Sequence, residues 1–120
     1  MTKIINSKRY DLEERTLNYS KRIIKMCQTL PKNIINFKLV DQIIRSGTSL
    51  VANYREANET ETKKDFCFRI RLCRKEAKET IYWLDLIMEA NKNFIDRIKP
   101  LKEEATELMK IFAAILNKSR

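Results

Sequence analysis

Glu76 and Glu79 stand three residues apart, a spacing that puts two carboxylates on one face of a helix. With Glu56 they form the acidic set to weigh for a hard cation. Pairing of Glu79 with Lys75, one helical turn away, is the simpler use of that charge. The chain has no histidine, which removes the usual general base, the Ser-His and Cys-His dyads and the Glu-x-x-His ligand pairs of di-iron bundles. Its single glycine, Gly47, falls inside a helical pattern, so no glycine loop cradles a phosphate. Cys27, Cys67 and Cys73 fit no metal-ligand spacing and sit within apolar helical patterns, as reduced core residues do. The expectation is a protein with no catalytic residues, no cofactor and no metal.

A second constellation is polar. Gln42, Arg45, Ser46, Ser49, Asn53 and Glu56 fall within an arc of about 100° on one helix. Short polar residues with one Arg and one Glu suit hydrogen bonding in a partly buried setting better than open solvent. Two uses follow. One is a polar seam against another helix, with Arg45 reaching a carboxylate such as Glu76 or Glu79. The other is an anion-binding groove around Arg45, Gln42 and Asn53. The first is the expectation adopted.

A third constellation is basic. Twenty-five Lys and Arg against 16 Asp and Glu give +9, a charge that attracts polyanions, nucleic acid first and anionic membranes second. Lys64, Arg71, Arg74, Lys75 and Lys78 lie along one band, and Arg15, Lys21, Arg22 and Lys25 along another. Residues 1–34 carry eight basic and three acidic side chains, whereas residues 35–60 balance at three and three. These nine cations are the candidate nucleic-acid contacts. No recognition-helix or RNA-binding signature accompanies them, so shape and charge would be read, not sequence.

Helices must position all of this. One glycine and two prolines in 120 residues exclude the turns that sheets need and leave one all-α domain with short loops. The first helix is expected over residues 11–29, opened by an Asp11/Glu14 capping box and stopped before Pro31, after a flexible tail at 1–10. Its face is Leu12, Thr16, Tyr19, Ile23, Met26 and Leu30. The second, over 36–58, buries Val40, Ile43, Ile44, Gly47, Leu50, Val51, Tyr54 and Ala57, with Gly47 marking a close helix–helix approach. The third, over 62–91, opens on a Thr62/Asp65 box. The fourth follows Pro100 and carries Leu101, Ala105, Leu108, Phe112 and Ile115, the domain ending near residue 118. Short connections force antiparallel neighbours, an up-down-up-down four-helix bundle. Nothing at the N-terminus resembles a signal peptide and no apolar run approaches a membrane span, so the expectation is a cytoplasmic protein with no membrane partner.

The third helix has two apolar stripes. Phe66, Ile70, Cys73, Ala77, Ile81, Leu84 and Met88 form one; Phe68, Leu72, Trp83 and Leu86 form the other on roughly the opposite side. A single bundle buries one such stripe. The second is expected to be an interface with further copies of the chain.

The run DQIIRSGTSLVANYREANETETKKDF (41–66), followed by CRKEAKETIYWLDLI (73–87) and preceded by DLEERTLNYSKRIIKM (11–26), resembles the four-helix bundle proteins called 23S rRNA intervening-sequence proteins. The similarity spans roughly residues 10–115. It implies a homopentameric ring and kinship with the accessory proteins of diversity-generating retroelements, basic pentamers that bind nucleic acid and a reverse transcriptase. Such a partner, RNA or DNA, and the chain itself are the partners it implies. Gln42, Arg45, Ser46, Ser49, Asn53, Glu56, Asp65, Lys75, Glu76 and Glu79 stand at the signature positions. The better-known branch ends the segment in a sequence like NIAEG; here residues 52–58 read ANYREAN, which marks a side branch. The competing expectation is a ring that binds a protein, with its charge serving solubility only.

Overall fold

The structure, a computed structural model, describes the backbone of residues 2–119 and the side chains of residues 11–119. Four helices run up and down: α1 (Thr2–Thr29), α2 (Ile34–Asn58), α3 (Lys63–Ala90) and α4 (Ile95–Ser119), with a 3-10 turn at Lys92–Phe94 before the last. No strand occurs among the described residues. The molecule is an elongated rod of 48 × 23 × 19 Å.

Local chemistry explains the boundaries of α2 and α3. The Asn33 side chain accepts from the Asn36 amide at 2.8 Å, and Thr62 Oγ1 accepts from the Asp65 amide at 3.1 Å. Each side chain satisfies an amide that the first turn leaves without a helical partner. Two expected starts are corrected. The backbone is helical from Thr2, so Asp11 lies well inside α1 and marks no helix start. The expected tail at 1–10 has its side chains, and Met1 altogether, outside the described residues. The fourth helix begins at Ile95, not after Pro100, because the 3-10 turn reverses the chain directly after Asn91. Pro100 is exposed inside α4, where it removes only the helical donor to the Asp96 carbonyl.

Packing follows the apolar faces. Leu12, Thr16, Tyr19, Ile23, Met26 and Leu30 are all buried, as are Ile43, Gly47, Leu50, Tyr54 and Ala57 of α2. α3 packs along both α2 and α4, α1 packs on α2 and more loosely on α4, and α1 and α3 lie diagonally across the bundle. At Gly47 α1 and α2 approach closely: a Cβ there would stand 3.4 Å from Ile23, and the Ser20 hydroxyl donates to the Gly47 carbonyl at 2.6 Å. At the far end of the rod, Asn36 and Asn91 exchange amide hydrogen bonds at 2.9 and 2.8 Å. Their remaining N–H groups reach the carbonyls of Pro31 and Ile87. This buried clamp ties the start of α2 to the end of α3 with every donor used.

Candidate nucleic-acid interface and polar seam

The core stripe of α3 is broader than its periodicity suggests. Cys67, Glu76, Thr80 and Ile87 are buried with Ile70, Cys73, Ala77 and Leu84, while Phe66, Ile81 and Met88 are half-buried against the core. A helix clasped between two neighbours buries more than the single stripe of a surface helix. Trp83, expected on the outward stripe, also packs against the core and is half-buried. Of that stripe only Phe68 is exposed; Leu72 and Leu86 are half-buried. Tyr82, beside Trp83 in sequence but outside the stripe, is 56% exposed, and its ring meets the indole edge-on at 4.8 Å.

The polar side chains of α2 face α3 along this flank. Arg45 donates to Glu79 at 2.6 Å and to Glu76 at 3.4 Å. Glu79 thus pairs with Arg45, not with Lys75 as its spacing suggested, because the α2/α3 packing brings the guanidinium closer than the flexible lysine. Thr80 Oγ1 lies 2.9 Å from the buried Ser46 hydroxyl, and Arg69 donates to Asn53 Oδ1 at 3.2 Å. Asn53 in turn donates to the Ser49 carbonyl. Gln42 and Ser49 are half-buried and Glu56 is exposed. Burial, and next the charge of Glu79, push the Glu76 carboxyl above its ordinary range, while Arg45 opposes the shift. Hydrogen bonding to Glu79 holds the Arg45 guanidinium protonated still more firmly.

The three cysteines are free and buried. Burial pushes the Cys27 thiol up to about 11 and the Cys73 thiol up to about 12, which makes both poor nucleophiles. Among the described residues no three acidic or thiol side chains gather as a metal site would require. None of the helices, over the described residues, is long and apolar enough to cross a membrane.

The candidate cations fall into three situations. Arg15 lies in a bidentate pair with Glu104, at 2.7 and 2.8 Å, so it is engaged within the protein. Lys21, Arg22 and Lys25 on α1, and Lys64, Arg71, Lys75 and Lys78 on α3, are exposed, and Arg74 is half-buried. Among the described residues none of these eight forms an ion pair with a carboxylate. The two helices that carry them are not backbone neighbours, each lying alongside α2 and α4, so one protomer presents two basic surfaces. Sequence reasoning missed Arg97, which faces Arg22 and Lys25 across the α1/α4 groove. Its signal was hidden by starting the fourth helix at Pro100. It also missed Ile34, Ile35 and Phe37, exposed by 59% or more at the start of α2. Three large apolar residues off the core face of one turn are a readable signal.

The fold and this flank define an antiparallel all-α bundle whose α2/α3 groove carries a network of Arg, Glu, Ser, Thr and Asn. The profile of the 23S rRNA-intervening sequence proteins matches residues 8–114, and the chain belongs to that family. A solved structure from Bacteroides thetaiotaomicron VPI-5482, described as a protein of unknown function from the S23 ribosomal protein family, is 30% identical. That match covers 92% of this chain and 98% of the other, with a TM-score of 0.83. No functionally curated protein matches the chain.

Proposed function

We propose that the protein is a non-enzymatic, self-assembling bundle, a pentamer as its sequence resemblance implies, that binds nucleic acid through its unpaired basic side chains. The observation that carries the binding half is the division among its cations. Arg15 and Arg45 are bound by carboxylates, whereas the other candidate basic side chains of α1 and α3 have no carboxylate partner among the described residues, and all but Arg74 stand in solvent. Unpaired surface cations are the groups that displace counterions from a phosphate backbone. In an oligomer each basic surface is repeated, so weak phosphate contacts add by avidity. The resemblance to retroelement accessory proteins belongs to the same reading.

Self-assembly is supported by Phe68 and Tyr82, each more than half exposed beside Leu72, Trp83 and Leu86 on the α2/α3 flank. The apolar tip of Ile34, Ile35 and Phe37 favours a second reading, an adaptor whose partner is a protein. Fluorescence anisotropy of labelled structured RNA and duplex DNA, titrated at low and at physiological salt, separates the two. The nucleic-acid reading expects tight binding at low salt and a steep log–log decline. No binding at low salt would leave the charge as a solubility feature and the adaptor as the better reading.

A further inference from the structure

The groove between α1 and α4 is the loosest of the four helix–helix seams, and its two halves differ in charge. One half is closed by the Arg15–Glu104 pair and flanked by Asp11 and Glu14. There the Tyr19 hydroxyl also donates to the Leu101 carbonyl at 2.8 Å, pinning the helices together. The other half opens into a hollow of about 260 Å³ lined by Arg22, Lys25 and Arg97 over a floor of Met26, Thr29 and Leu101. No carboxylate lines it, and none of its three cations forms an ion pair among the described residues. The Arg97 guanidinium stands 5.5 Å from the Phe94 ring centroid, a cation–π interaction that narrows its range of positions.

From this geometry we infer that the open half of the α1/α4 groove is the principal seat for the phosphodiester backbone of nucleic acid, with Arg22, Lys25 and Arg97 as its phosphate ligands. The inference rests on the nucleic-acid binding proposed above and says where it occurs. Three cations from two helices converge there and, among the described residues, none is ion-paired, which leaves them available to a phosphate. Within the hollow Lys25 and Arg97 stand clear of carboxylates, while Arg22 also borders the acidic half beside Asp11, Glu14 and Glu104. On the α2/α3 flank, by contrast, Lys75 and Lys78 share their hollow with Glu79. Acidic side chains at one end of the groove and basic ones at the other also give it polarity. A bound strand is held at the Arg97 end and repelled from the Asp11–Glu14 end.

The test compares two equal changes of charge in the full chain: Arg22→Gln/Lys25→Gln/Arg97→Gln in the groove and Arg71→Gln/Lys75→Gln/Lys78→Gln on α3. All six residues lie outside the buried core, and circular dichroism checks that each variant keeps its helices. Anisotropy of a labelled RNA hairpin should show the groove variant weakened about tenfold or more, with a salt slope smaller by about one for each phosphate no longer neutralised. The α3 variant should be weakened much less, and Arg97→Lys, which keeps the charge, should bind close to the parent protein. Equal weakening of the two triple variants, or a larger effect from α3, overturns the groove while leaving nucleic-acid binding standing. A parent protein that fails to bind at low salt overturns both.

Discussion

Arg45 and Glu76 show how a helix–helix interface changes what a charged residue does. Glu76 is 7% exposed, so its charge is tolerable only with the guanidinium beside it. Arg45 itself is half in solvent, which limits what its pair contributes. Replacing Arg45 with Ala should cost about 1 kcal/mol at neutral pH, more than the change of within about 0.5 kcal/mol usual for a surface residue. The pH dependence has a definite sign. Because the native Glu76 carboxyl lies above its ordinary 4.5, the folded state holds the proton more tightly than the unfolded chain. Its contribution to stability is therefore fully present below about 4.5 and is lost as pH rises through the raised native value. Removing Arg45 raises that value further, so the deficit of Arg45→Ala should grow with pH across this window. Urea midpoints of parent and variant measured from roughly pH 4 to 7 would show it. Parallel profiles would mean that Glu76 does not feel Arg45.

At the scale of elements, the bundle is held in register by polar pairings that hydrophobic periodicity does not encode. Core stripes permit neighbouring helices to slide by a turn with most apolar packing remade. The Asn36–Asn91 clamp permits one alignment of α2 against α3, since either amide alone would be buried without its partner. Asn91→Ala should cost about 1–3 kcal/mol by orphaning the Asn36 side chain. A double-mutant cycle with Asn36→Ala, read from urea denaturation, should show the two effects to be strongly non-additive. Additive effects would show that each amide acts through its own backbone carbonyl alone. Gly47 works with the clamp about three turns further along the same buried face of α2. With no side chain it lets Ile23 of α1 lie against the helix surface, which offsets the roughly 1 kcal/mol that glycine costs in a helix.

At the scale of the whole molecule, the apolar surface left uncovered should drive assembly. Trp83 and Leu72 are the pair that helical periodicity points to, but Trp83 packs against the core, so truncating it would disturb the fold as well as any interface. Phe68 and Tyr82, at 53% and 56% exposure, separate the two effects. Phe68→Ser with Tyr82→Ser should lower the mass seen by light scattering while helix content and thermal midpoint stay near those of the parent. An unchanged mass would move the interface elsewhere, with the Ile34–Phe37 tip the next surface to vary.

Much of this was legible in the residues themselves. The scarcity of glycine and proline excluded sheets, and apolar residues at steps of three and four outlined four helices, because a bundle core is built from repeated local geometry. The cap at Thr62 and the close approach at Gly47 were readable for the same reason: each depends on residue type within a single turn. Most pairings between helices were not. The polar arc of α2 pointed Arg45 toward Glu76 or Glu79, and it reaches both. Arg15 with Glu104, Tyr19 with Leu101 and Asn36 with Asn91 join residues 55 to 89 positions apart, and no local spacing encodes them. The partners of each helix likewise decided that Trp83 turns inward and that the basic side chains of α1 and α3 sit on helices diagonally across the bundle. Composition set the amount of charge on this protein. Tertiary packing decided which of those charges neutralise one another and which remain in solvent, because a carboxylate neutralises a cation only within a few ångströms.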